Sequence, residues 1–147
     1  MDLSRLKWPL IIFIVAAIGW LGTAGGVSWM ENKFSQGTPG ANAEQDAANE
    51  MGLSRLGGFL LKTFRYARAE EVFQKAMDRY PTGSEYWYNM YRQVKVKEKL
   101  GKQAEAVQLL KQLIAANANS IDSRVPENDN LNLRAEKLIE VNELEQR

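Results

Sequence analysis

The first thirty residues constrain this chain more than any other part of it. From Trp8 to Met30 there are 23 consecutive positions without a charge, and nine of them are Leu, Ile, Phe or Val. On a helix rising 1.5 Å per residue, such a run matches the roughly 30 Å hydrocarbon core of a bilayer. Each of those nine side chains favours insertion by about 0.3–0.6 kcal/mol. Trp8 and Trp29 stand at the two ends, where amphipathic rings suit the headgroup layer. The sequence therefore predicts one transmembrane helix over residues 8–30, after a short stub, 1–7, and before a polar remainder.

A cleaved leader is the competing reading. Arg5 and Lys7 would be its basic region, Leu10 to Ile18 its apolar region, and Gly22 with Ala24 its small-residue site. The apolar stretch runs on past that site to Met30, so a retained anchor is the expectation. The two leading basic residues place the N-terminus in the cytoplasm by the positive-inside rule. The remainder would then lie outside, on the periplasmic face of an inner membrane in a Gram-negative host.

Composition removes most chemistry. With no His and no Cys, zinc fingers, iron–sulfur clusters, thiol nucleophiles and His-based triads are excluded. Lys and Arg total 19 against 18 Asp and Glu, a balance with no general attraction for nucleic acid. The paired carboxylates Glu70-Glu71 and Glu143 with Glu145 lie on ordinary amphipathic helices without a positioned partner. No catalytic, metal or cofactor site is expected.

Beyond the apolar run, residues 31–42 form a linker whose SQGTPGAN stretch cannot continue a helix. Helical patterning fills 43–116, a polar loop spans 117–130, and 131–147 form a last amphipathic helix with Leu131, Ala135, Leu138, Val141 and Leu144 on one face. No strand-like alternation persists. The predicted fold class is all-α.

The helical block repeats internally. Leu56-Gly57, Leu60, Ala69, Phe73, Ala76 and Pro81 resemble the tetratricopeptide pattern, with Trp87 34 residues after Leu53. In the second unit Gly101, Ala106, Leu110 and Leu113 follow, but Ala106 lies 37 residues after Ala69. One extra turn in the helix from Ser84 to Leu100 would absorb the difference. The resemblance covers about Ala47 to Ala116, is better in the first unit, and implies two antiparallel helix pairs. Small Ala69 and Ala76 allow close approach, Phe73 fills between pairs, Leu53, Leu56 and Leu60 form the facing stripe, and Trp87, Tyr91 and Val94 repeat that stripe in the second unit. Arrays of this kind usually need three or more units. The last helix is therefore expected to cap the array, and a partner or a second copy of the chain to complete its core.

The resemblance also implies that first helices line a concave surface. There Tyr88, Arg92 and Lys95, with Ser54 and Leu61 one repeat earlier, would suit an acidic or C-terminal peptide. The carboxylate-clamp version of the family carries Lys and Asn where Ser54 and Gly58 stand, so that activity is not carried over. The bland alternative makes Arg92, Lys95, Lys97, Lys99 and Lys102 a wet basic face. The aromatic run Glu85–Tyr91 reads as core by its i, i+4 spacing rather than as a pocket for a base. In the membrane segment, Gly22 and Gly26 with Gly19 and Thr23 form a small-residue face, and Trp20 lies near mid-span. Such a face suits packing against another transmembrane subunit.

The sequence thus predicts a non-catalytic accessory or scaffold subunit of a larger membrane complex, respiratory or photosynthetic, in contact with the lipid bilayer and with other protein subunits. The alternative is a membrane-tethered receptor or chaperone for client peptides, for example at a secretion translocon.

Overall fold

The computed structural model describes residues 3–145, with side chains from Lys7 to Glu143. Arg5 and Leu144, used above for topology and for the last helix's apolar face, have side chains outside that range. Eight helices make up the regular structure: α1 (Leu3–Leu21), α2 (Ala24–Lys33), α3 (Ala43–Lys62), α4 (Tyr66–Arg79), α5 (Tyr86–Lys99), α6 (Gln103–Ala115), α7 (Ala118–Ile121) and α8 (Asn128–Glu145). Every element among the described residues is helical, as predicted.

The apolar segment is not one helix. α1 and α2 are bent by 79° at a break after Leu21. Thr23 makes that break, because its hydroxyl donates to the Trp20 carbonyl at 2.6 Å and accepts from the Gly26 amide at 3.3 Å. It closes one helix and caps the next. Gly26 then lies directly against the end of α1, where a β-carbon would overlap the Trp20 carbonyl oxygen. No single helix among the described residues is long and apolar enough to cross a membrane, and only the bent pair together has that length and composition.

The boundaries 8–30 and 31–42 are corrected accordingly. α2 belongs to the helical domain. Val27 is 1% exposed in the core, and Met30 and Phe34 pack beside it. Buried Glu31, between them on the same face, accepts ion pairs from Arg68 and Lys75 of α4. Residues 27, 30, 31 and 34 share one helical face. That face crosses the end of the uncharged run, so a reading by charge alone cut it at Met30. The remaining linker is pinned as well: the Asn49 side chain donates to the Gln36 carbonyl at 2.9 Å and Arg79 to the Gly37 carbonyl at 3.0 Å.

α3–α4 and α5–α6 are the two predicted helix pairs. Asn42 caps α3 through the amides of Glu44 and Gln45. Each pair turns through three residues with a left-handed backbone at the middle one, Phe64 (φ 61°) and Gly101 (φ 76°). Those two turns are 37 residues apart, like Ala69 and Ala106. α4 and α5 both have 14 residues. The extra length therefore lies in the connection Tyr80–Glu85, not in an added helical turn. In this register Met90, 3% exposed, takes the place of Leu53, while Trp87 is half-buried with its edge on Tyr86. Val94 is fully buried and Tyr91 half-buried.

Two apolar clusters hold the array. One joins α2, α3 and α4 around Leu53, Leu60, Phe73 and Ala76, with Val96 of α5. The other joins α5, α6 and α8 around Met90, Val94, Leu110, Leu113 and Leu131. α8 caps the second pair through Leu131 and Ala135, whereas Val141 is exposed. α2 covers the first pair in the same way, a layer that the sequence pattern did not reveal. The 117–130 loop contains α7 and ends three residues early, at the start of α8.

Leu110→Ala should cost about 2–5 kcal/mol, because the side chain is fully buried. Trp87→Ala should cost less than Leu110→Ala. Gly101→Ala should cost about 1 kcal/mol through its left-handed backbone. Thermal unfolding of the purified chain checks this order, and a larger loss for Trp87 would restore the 34-residue register.

Candidate functional site: a basic groove over a buried polar seam

The five residues expected on the concave surface come together, in two layers. Leu61, Tyr88, Arg92 and Lys95 line one groove between α3 and α5, where Arg55, Gly58, Phe59 and Lys62 join Leu61 on the α3 wall. Its volume is about 540 Å³ and no carboxylate lines it. Ser54 is not on the surface. It is 2% exposed beneath the groove, with its hydroxyl 2.8 Å from Asn89 Oδ1 and 3.0 Å from Glu85 Oε2.

Arg92 belongs to both layers. Its Nη2 donates to Ser54 Oγ and, at 2.7 Å, to Asn89 Oδ1. Its guanidinium lies 4.7 Å from the Phe73 ring centre and 4.3 Å from that of Tyr88. Burial holds its pKa below the usual arginine value, partly offset by the Tyr88 and Glu85 oxygens. An arginine so held is structural support for the groove rather than a mobile contact. Tyr88 carries a second guanidinium, Arg124, 4.5 Å from its ring centre. Arg124 also forms a fork onto buried Glu85, both bonds at 3.0 Å, and pairs with Asp122 at 2.7 Å. Hydrogen bonds to Asp122 and Glu85 raise its pKa. Glu85, placed beside the groove by helical spacing, is therefore consumed inside the fold.

Only part of the basic run is wet. Lys97 is buried between Glu70 at 2.7 Å and Glu105 at 2.5 Å, and those hydrogen bonds raise its pKa against the cost of burial. Lys102 pairs with Glu70 at 2.8 Å. Lys95 faces the groove, its ammonium 4.7 Å from the Tyr91 ring centre. Arg55, Phe59 and Lys62 were not singled out from the sequence, although their i, i+4, i+7 spacing puts them on one face of α3. Arg124 had no local signal, since its partner Glu85 is 39 residues away.

The expected membrane face does not form one surface. Gly19 is in open space and Trp20 is 50% exposed, its ring centre 6.1 Å from that of Trp29. Gly22, Thr23 and Gly26 build the bend, so Gly22 and Gly26 do not share a helix. The reason is the Thr23 cap, which ends α1 before the four-residue spacing is complete.

A sequence model of the family described as Tetratricopeptide repeat matches residues 88–120, which cover most of α5, all of α6 and the start of α7. The match supports a tetratricopeptide-repeat protein. It falls on the second helix pair, the one with the weaker sequence resemblance. No curated protein and no solved structure matches the chain. Tetratricopeptide repeats are typically non-catalytic modules that hold proteins together, and such a role implies protein partners.

Beneath the groove, Glu50 is 4% exposed and accepts from the Glu85 amide at 2.9 Å. Burial raises its pKa, and the Glu85 charge adds to this against the amide bonds. A carboxyl raised in the folded state stabilises fully below its unfolded pKa, and the contribution is lost as pH rises through the folded value. Glu50→Gln keeps an oxygen for the Glu85 amide without the charge. Its stability relative to wild type should therefore rise between about pH 4 and pH 7. Paired denaturant curves at the two pH values check this, and a constant difference would contradict it.

Proposed function

We propose that the chain is a membrane-tethered, non-catalytic scaffold subunit, with α1 in the bilayer and the helix pairs holding a partner at the membrane surface. The observation that carries this reading is the contrast between α1 and α2. α2 buries one face, Gly26, Val27 and Glu31, against the domain, whereas α1 leaves Leu10, Ile11, Ile12, Phe13, Val15 and Ile18 at least half exposed. An apolar helix bare on all sides needs an apolar solvent. Its uncharged part, residues 8–21, reaches about 21 Å, so a full crossing calls for marked local thinning of the bilayer and snorkelling of Lys7. The docking surface is the basic groove. Tyr88, Lys95 and the supporting Arg92 fit an acidic extramembrane segment of another subunit of a respiratory or photosynthetic complex. The basic N-terminal end favours the cytoplasm and puts the domain on the periplasmic side.

Two measurements test this. In intact cells or spheroplasts, a cysteine at exposed Ser120 should react with an impermeant thiol reagent, and labelling only after lysis would reverse the topology. Tyr88→Ala with Lys95→Glu leaves the Ser54–Glu85 seam in place. It should lower co-purification of the partner about tenfold, equivalent to about 1.4 kcal/mol. Partner retention at wild-type stoichiometry would remove the groove from the account. Exchange of many client peptides in place of a fixed stoichiometry would favour a tethered receptor.

A further inference from the structure

A second groove lies where α1 meets the domain. Ile18 and Leu21 of α1, with Gly22 at the break, form one wall, and Met30, Phe34, Met51 and Leu56 form much of the rest of a groove of about 570 Å³. Arg55 supplies the one charged side chain in its lining. Arg55 and Phe59 also line the basic groove, so the apolar slot opens directly onto Arg55, Lys62 and Lys95. No carboxylate lines either groove, and none among the described residues pairs with these three cations. The volume falls within the roughly 300–1,000 Å³ range of small-molecule sites.

From this juxtaposition we infer a binding site for one anionic phospholipid, its acyl chain in the slot and its phosphate on Arg55 and Lys62. This rests on the reading that α1 is in the bilayer. An amphiphile is matched by the order of the chemistry along α3, from apolar Met51 and Leu56 through Phe59 to Lys62. A lipid is matched by the wall: the slot is continuous with the apolar flank of α1, so a chain enters it without crossing water. Exposed Phe59 sits at the junction and also carries the Arg65 guanidinium 5.2 Å from its ring centre, an aromatic-plus-cation pairing suited to the headgroup layer. Headgroup charge sets the preference and chain burial the residence. A lipid held there would fill the angle between α1 and α3 and brace the bend.

The test uses the full chain in an uncharged detergent, titrated with phosphatidylglycerol or phosphatidylcholine and read by native mass spectrometry. Wild type should hold one phosphatidylglycerol at least tenfold more tightly than phosphatidylcholine. Arg55→Glu with Lys62→Glu, both at exposed positions, should abolish that preference, and Met51→Trp should weaken both lipids by filling the slot. Equal retention of the two lipids by wild type, or an undiminished preference in the charge-reversed chain, overturns the site. A poly-glutamate peptide that binds with the same charge dependence and displaces phosphatidylglycerol from Met51→Trp and wild type alike assigns the cations to a protein ligand instead. Alkaline carbonate extraction of cells reports membrane residence separately, so that reading can fail while lipid binding stands.

Discussion

The structure turns on the close approach of two backbones at Gly26. Thr23 ends one helix and starts another, and the absent side chain at Gly26 lets the second helix fold back against the carbonyl end of the first. Everything else follows from where that places α2. Val27 enters the core, Glu31 reaches two cations on α4, and the domain gains a covering layer in front of its first helix pair. Two helix pairs alone expose an apolar face at each end. With α2 at one end and α8 at the other, both faces are covered, and the longest run of exposed apolar side chains lies on α1, with isolated ones such as Phe64 and Leu133 elsewhere.

The concave side has its own internal order. α3 and α5 meet across a polar seam rather than an apolar one, with Ser54, Glu85, Asn89 and Arg92 hydrogen-bonded to one another, Asn89 Nδ2 and Arg92 Nε left without a partner, and Arg124 reaching in from the loop before α8. Such a network is costly when incomplete and specific when complete. It fixes the register of α5 against α3 and aims Tyr88 at the groove. The surface is left basic because the carboxylates nearby, Glu50 and Glu85, are both buried in the seam.

Much of this was legible in the sequence, to the extent that local periodicity carries it. The all-α class, both helix pairs, the Gly101 turn and the capping role of Leu131 and Ala135 all rest on spacing within one or two elements. What was missed depends on contacts between distant residues. A run without charges looks like one helix until Thr23 and Gly26 are seen to break it. Trp87 matched a 34-residue period, but the longer Tyr80–Glu85 connection moved Met90 into that place. Ser54 looked like a surface position, and only the fold shows that it is buried against Glu85 and Asn89. The groove residues Tyr88, Arg92, Lys95 and Leu61 do converge, since α3 and α5 each present one face to the same groove.

The central claim is that the apolar segment bends, so that α2 belongs to the domain and α1 alone projects from it. Spin labels at Leu10 and Lys33, read by double electron–electron resonance in vesicles, measure this directly. A rise of 1.5 Å per residue and the 79° bend give a backbone separation of about 26 Å. A continuous helix through Gly22 and Gly26 would instead give about 34 Å, and a distribution centred there would contradict the account.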